Sequence, residues 1–416
     1  MMEKREVFLF GAGAVIDWKA PSTKQITTKI RESGFDIKNS NKKITDFIYQ
    51  RLLKCGFEGD EITFETIINV IEELMVYNSS FNKSQTPSLL KPFFAEYDLS
   101  SIYNFSIKGG VDENNYNYHL QIPIGVDYKY SEFTTQNEKP NQFFLQHLIN
   151  ELLSEISKIV SDYIWDIDGN PVYKTDSKIN LNFRKWFKSL NKDSVLRLYT
   201  LNYDHLFKNL LEQENINCFD GFDMHYSNNR PRPNVLKILS DTTSNIHYNL
   251  HGSVYWDVDS NADIISTTGI GFLPNNASAT SQMEKGKTIL VTKIITGYQK
   301  TQKSSLTPFR QLQSAFDKDC CTANKITIIG YSFNDEHINE ALKIALRYNK
   351  DVYVEIIDPD FIKKEMDFIF ALNIFPFIND GNMNNKTVAE NEFHYFDGKL
   401  KVFTVTFSEY LEHKVL

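Results

Sequence analysis

Val7-Phe8-Leu9-Phe10-Gly11-Ala12-Gly13-Ala14-Val15-Ile16-Asp17 runs from four apolar β-formers straight into a glycine turn. A continuous apolar run of this length suits a strand covered on both faces. The two glycines allow a tight turn whose backbone approaches a pyrophosphate at a helix N-terminus, as dinucleotide-binding folds require. Ile16 stands where the third glycine of a GxGxxG fingerprint belongs. Taken alone, the segment is equally well read as a plain strand-turn-helix joint.

Around that strand, 416 residues allow two or three domains, or one Rossmann-like domain with a large insertion. No apolar stretch of about 18 residues suggests a membrane span. The opening MMEKREVFLFGAGA passes into Asp17 and Trp18 with no cleavage site, so a cytoplasmic protein is expected. The net charge of −8 argues against a general nucleic-acid surface. Cys55, Cys218, Cys320 and Cys321 show no CxxC spacing, which removes the zinc ribbon and the redox dithiol.

Hydrophobic periodicity predicts helices between Ser22 and Leu74, with Ile44, Phe47, Ile48 and Leu52 on one face and Phe64, Ile67, Ile68 and Ile71 on another. Residues 79–140, rich in Asn, Ser, Tyr and Lys, read as loops and short irregular strands. A long helix is expected from Asn141, where Leu145, Leu148, Ile149, Leu152, Leu153 and Ile156 recur at steps of three and four. Strand signals follow at Val195–Leu201, Ile246–Leu250, Ile289–Lys293, Lys325–Gly330 and Val352–Asp358, with helical patterns between several of them. The expected fold is α/β: a Rossmann-like parallel sheet from residues 1–58 and 181–360, with a mainly helical insertion at 59–180. Residues 361–416 form a C-terminal region whose FIFALNIFPF and FTVTFSEYL segments are candidate assembly surfaces, or else complete the core. The segment 257–287 reads as a surface loop, with a lid over the site as the alternative.

Three polar motifs each follow a strand signal: Thr200-Leu201-Asn202-Tyr203-Asp204, Leu250-His251-Gly252-Ser253, and Gly330-Tyr331-Ser332-Phe333-Asn334-Asp335. Polar groups at the carboxyl ends of neighbouring parallel strands converge on one crevice. Singly, each motif has a plainer explanation. Asn202, Asp204, Asn334 and Asp335 suit helix N-caps, and His251 suits a satisfied strand-end histidine. Capping does not explain why all three accompany a glycine turn.

The ordered set GAG, TxNYD, LHG and GYSFNDxHIN resembles the sirtuin-like domains of bacterial anti-phage defence proteins, which consume NAD. The resemblance implies that Gly11, Ala12 and Gly13 hold the pyrophosphate with Asp17 beside them, and that Gly330, Tyr331 and Ser332 line the nucleotide. It implies Ile357 and Asp358 at the adenosine ribose, Asn202 and Asp204 at the nicotinamide ribose, and His251 as the catalytic histidine. Deacylating sirtuins carry a four-cysteine zinc module that this chain lacks, and Val15 replaces a frequent serine. The expectation is therefore an NAD+ glycohydrolase needing no metal, which depletes NAD+ in abortive infection. Its products would be nicotinamide and ADP-ribose, or a cyclic form. The resemblance also implies a homo-oligomer with a HerA-type ATPase partner; the chain has no GxxxxGK[ST] loop of its own, Ser281 precluding one at Gly286-Lys287-Thr288. The alternatives are a nucleotide-binding sensor without turnover, an NAD-dependent deacylase and a hydride-transfer dehydrogenase.

Overall fold

The apolar run at Val7 becomes the central strand β1 (Lys4–Phe10) of a parallel sheet. The computed structural model describes residues 4–78, 99–108, 111–112, 115–124, 127–134, 140–224, 230–259, 261–266, 273, 278–284, 287–296, 303–363, 386–395 and 398–415. Among these, the sheet continues with β2 (Ser194–Thr200), β3 (Ile246–Asn249), β4 (Lys325–Ile329), β5 (Tyr353–Ile357), β6 (Lys386–Ala389), β7 (Glu392–Tyr395) and β8 (Leu400–Phe403). Its order is β6-β7-β8-β5-β4-β1-β2-β3, with β6 and β7 antiparallel at one edge. The parallel part thus reads β3-β2-β1-β4-β5-β8, the order of doubly wound dinucleotide folds. Strand order reverses at β1, so the crevice for a ligand opens between the loops after β1 and β4.

Register sets the height of those loops. Phe10 lies opposite Thr200 on one side and Ile329 on the other, Thr200 opposite Asn249, and Ile329 opposite Ile357. Four of the loops named above therefore leave the sheet at one level.

Ten helices are described: α1 (Thr23–Glu32), α2 (Ile44–Lys54), α3 (Phe64–Tyr77), α4 (Pro140–Asp162), α5 (Lys178–Leu190), α6 (Leu206–Glu212), α7 (Val235–Ser240), α8 (Phe309–Thr322), α9 (Glu336–Tyr348) and α10 (Phe407–Val415). Side chains alternate across β1, and both faces are covered. Val7 and Leu9 join Ile326, Ile328, Leu312 and Leu342 on the face covered by α8 and α9. Phe8 and Phe10 join Leu196, Phe183, Phe207 and Phe407 on the other. Each such side chain, fully buried, contributes roughly 1.5–3 kcal/mol.

A third core holds the helical layer, where Ile30 of α1, Ile44 of α2, Ile67 and Ile71 of α3, and Leu148 and Leu152 of α4 meet. Residues on both sides of position 58 share this core. Ile164 and Tyr173 instead pack with Phe8 and Phe10. The helical layer thus draws on residues from about Ser22 to Val160, because the apolar stripes of α1 and α2 share one core with those of α3 and α4.

The strand pairing departs from the sequence reading at two places. Ile289–Lys293 does not join the main sheet; Lys287–Thr292 pairs antiparallel with Ser278–Glu284. Within 257–287, Trp256–Val258 pairs with Ile264–Ser266, since β-branched residues there favour hairpins over a loop. FTVTFSEYL is taken into the chain's own core: Phe407, Tyr410 and Leu411 are buried on the Phe10 side of the sheet. FIFALNIFPF lies outside the described residues. No helix among the described residues is long and apolar enough to cross a membrane.

Beneath the sheet, buried Arg197 of β2 donates from Nε to Asp319 Oδ2 of α8 at 2.6 Å, and Tyr199 donates to the same oxygen at 2.6 Å. Two further Arg197 nitrogens donate to the Ser244 and Asp241 carbonyls. The arrangement satisfies charges that burial alone would penalise.

His247 is buried and His205 half-buried at the β2–β3 edge, and desolvation, with Lys208 nearby, pushes both imidazoles below their ordinary range, His247 to about 3. The unfolded chain protonates His247 near pH 6.5, so its contribution to stability is lost as pH falls from about 6.5 toward 3. At pH 5 the loss is about 2 kcal/mol for this residue. His247→Gln is accordingly expected to show a smaller fall in Tm between pH 7 and pH 5 than the native chain, measured by scanning calorimetry. An equal fall in both proteins would remove His247 from the account.

Candidate functional site

At the carboxyl rim of the sheet, the loops after β1 and β4 are in backbone contact. Gly11 N–H donates to Ile329 O and Gly13 N–H to Gly330 O, both at 2.9 Å. A Cβ on Gly11 would lie 2.4 Å from Gly330 O, and one on Gly330, at φ +59°, would lie 2.3 Å from Ala14 N. The glycines are thus required for the two loops to touch. The amides of Gly11 and Gly13 are committed to the end of β4 and its loop, and that of Gly330 to Ile357 O, so what Gly11 and Gly13 offer a ligand is close approach. The turn continues as a 3-10 helix over Ala12–Trp18, which Trp18 ties to α5 through Nε1–H to Asn180 Oδ1 at 2.7 Å.

Above the rim lies a cleft of about 710 Å³, within the range of small-molecule sites. All twelve residues proposed from sequence line it, namely Gly11, Ala12, Gly13, Asp17, Asn202, Asp204, His251, Gly330, Tyr331, Ser332, Ile357 and Asp358. Their local roles differ. Asp17 accepts from the Ser408 N–H at 2.7 Å, at the start of α10. Asp358 accepts from the Asp360 N–H at 2.9 Å in the turn after β5. Tyr331 is buried and donates its hydroxyl to Asn339 Oδ1 at 2.9 Å, bracing its own loop, while Ser332 is exposed.

Asn202 and Asp204 divide between the two readings open to them. Asp204 accepts from the Leu206 N–H at 2.8 Å and so satisfies the first amide of α6, from one residue before the N-cap His205. Burial raises its carboxyl above the usual range, opposed by the Tyr163 phenol and the Leu206 amide. Asn202 is not a cap: its Nδ2 donates to Gly11 O at 3.1 Å, which fixes the amide orientation and leaves Oδ1 as the atom presented to a ligand. Asn249 at the end of β3 donates to the carbonyls of both Asn202 and Asp204 at 2.9 Å. It holds this loop in place, and nothing in its position before LHG marked it out.

His251 is 4% exposed. The following Gly252 has φ +85°, and a Cβ there would lie 2.2 Å from Lys293 O, which explains the glycine of LHG. Nε2 of His251 stands 3.3 Å from Nε2 of His337 and 4.0 Å from Asp335 Oδ1. Sequence reasoning passed over His337. The available signal was the DxH spacing at the start of a helix, which puts Asp335 and His337 on the turn facing the LHG loop. The helical layer also closes the cleft, with Thr63, Phe64 and Glu65 at the start of α3 and Val160 and Tyr163 around the end of α4.

Residues 197–374 match a family model described as a SIR2-like domain. Similar solved structures include a mutant Sir2 homologue in complex with ADP ribose, at 11% identity and TM-score 0.39 over 100% of this chain and 91% of that one. Another is a Sir2 homolog–NAD complex, at 10% identity and TM-score 0.37 over 100% and 89%. A third is a sirtuin described for its substrate affinity, at 8% and 0.35 over 99% and 93%. Likenesses this distant carry no argument about ligand or chemistry. No curated protein matches the chain. The domain match covers β2 through β5, the part of the sheet that carries the TLNYD, LHG and GYSFND loops, and the architecture is sirtuin-like.

Proposed function

We propose that the cleft binds NAD+ and that the chain cleaves the nicotinamide N-glycosidic bond, with water as the acceptor. The observation that carries this reading is the meeting of Asn202 and His251 in one cleft with the touching glycine loops of β1 and β4. Bond cleavage releases nicotinamide and leaves an oxocarbenium-like ribose, which needs orientation and a deprotonated nucleophile. Asn202 Oδ1 orients a ribose hydroxyl or the water. Neutral His251 accepts the proton as that group attacks. Asp204, tied to the α6 amide, holds the Asn202 loop from below. No metal takes part in this step.

NAD-dependent deacylation is a second reading, supported by the SIR2-like domain match; it shares the first bond cleavage and replaces water with an acyl carbonyl. The resemblance of the motifs supports the finer proposal that NAD+ depletion serves anti-phage defence, in a homo-oligomer gated by a HerA-type ATPase.

The test is nicotinamide release from NAD+ by the purified chain, with and without an acylated peptide, beside Asn202→Ala. Peptide-independent release, lost at least about a hundredfold in the variant with Tm unchanged, is the expected result. Release that requires the peptide establishes the deacylase, and binding without release establishes a sensor.

A further inference from the structure

His251, Asp335 and His337 bring one ligand atom each to within 4.8 Å of one another. Two features of this cluster are not explained by packing alone. First, Asp335 occupies the N-cap position of α9, where an Asp ordinarily accepts from the first-turn amides, yet its side chain makes no cap hydrogen bond. Its Oδ1 lies 4.0 Å from His251 Nε2 instead. Secondly, the loop that presents it is held in an unusual shape. Phe333 has φ +60°, Asn339 Nδ2 donates to Phe333 O at 2.7 Å, and the Asp335 N–H donates to the Tyr331 hydroxyl at 3.3 Å. A left-handed backbone at a bulky residue is kept only where surrounding contacts enforce it, and such strain gathers at functional sites.

The donor set is two imidazoles and a carboxylate, which suits divalent first-row cations with an open coordination position. Two nitrogens bound to one zinc at about 2.0–2.1 Å in a tetrahedral site stand about 3.3–3.4 Å apart. The two Nε2 atoms stand 3.3 Å apart, which matches that spacing as well as a long N–H···N hydrogen bond between the two rings. His251 and Asp335 line the cleft, so the remaining position opens toward its contents.

We infer that His251, His337 and Asp335 form a binding site for a divalent transition cation of the zinc type, and that its occupancy switches off turnover by taking the Nε2 lone pair of His251. The binding half stands on the geometry alone. The inhibitory half rests on the reading of His251 as the base.

The chain, freed of metal with a chelator and then of the chelator, is titrated with Co2+ while visible d–d absorption is followed, and with Zn2+ by calorimetry. One site per chain is expected, weakened at least about tenfold in both His337→Gln and Asp335→Asn, with Tm measured to show that each variant folds. Nicotinamide release by the native chain is expected to fall as Zn2+ fills the site and to return on chelation, while the residual release of His337→Gln ignores Zn2+. Absence of Co2+ absorption, or equal binding by native chain and variants, overturns the site. Release that disappears on chelation and returns with metal overturns the inhibitory role. If no release occurs under any condition, the proposed NAD+ chemistry falls, and the Co2+ spectrum still decides the site.

Discussion

His251→Ala is expected to leave NAD+ affinity within about tenfold and to cut nicotinamide release at least about a hundredfold, as removal of a general base from a preformed site does. The imidazole is buried against the cleft wall, while the backbone around it is fixed by other residues. Ile295 N–H donates to His251 O at 2.8 Å, and Gly252 packs on Lys293. The alanine variant therefore retains the turn and the glycine loops that shape the remainder of the cleft. Equilibrium binding of NAD+ and initial rates of release separate the two effects. Near-native turnover by the folded variant would make His251 a strand-end histidine and withdraw the mechanism.

Legibility in the sequence followed the physics of each signal. The strand at Val7–Phe10 and the long helix from Asn141 were readable because burial on both faces, or on one stripe, leaves a strong period. The rim loops were readable because glycine and polar residues directly after an apolar strand have few other uses. What escaped reading depends on the third dimension. Nothing in the β1 turn reveals that its amides are spent on Ile329 and Gly330, because the partner loop lies more than 300 residues away. The same holds for His337 of α9, which acquires its significance from a histidine in the loop after β3. The C-terminal strands β6 to β8 were missed because strands of four residues are too short to show a period, and α10 because its apolar segment reads as surface or core. Asp204 shows the opposite case: its role at the start of α6 was legible locally, and the structure adds that its loop is pinned by Asn249.

Asp319→Ala is expected to destabilise the fold by about 3–5 kcal/mol, the usual effect of removing one partner from a buried ion pair. The side chains of Arg197 and Asp319 are both 0% exposed. Burial disfavours the Arg197 charge, but Tyr199 and Asp319 outweigh it and hold the guanidinium above its ordinary range, so it does not escape by losing its proton. Without the carboxylate, a charge remains under the sheet with only the Ser244 and Asp241 carbonyls, and the Tyr199 hydroxyl loses its acceptor. A fall in Tm of about 3–6 °C is expected. Arg197→Met combined with Asp319→Leu should recover most of it, because no charge is then left buried. The consequence for the site follows from topology. Arg197 and Tyr199 lie on β2, whose end carries Asn202 and Asp204, so activity should be lost in step with the folded fraction while the specific activity of folded molecules is kept. That is the opposite of the His251→Ala pattern, in which fold persists and turnover does not. A Tm within about 1 °C of the native value would mean that water or a rearranged neighbour replaces the carboxylate, and would remove the pair from the forces holding β2 in place.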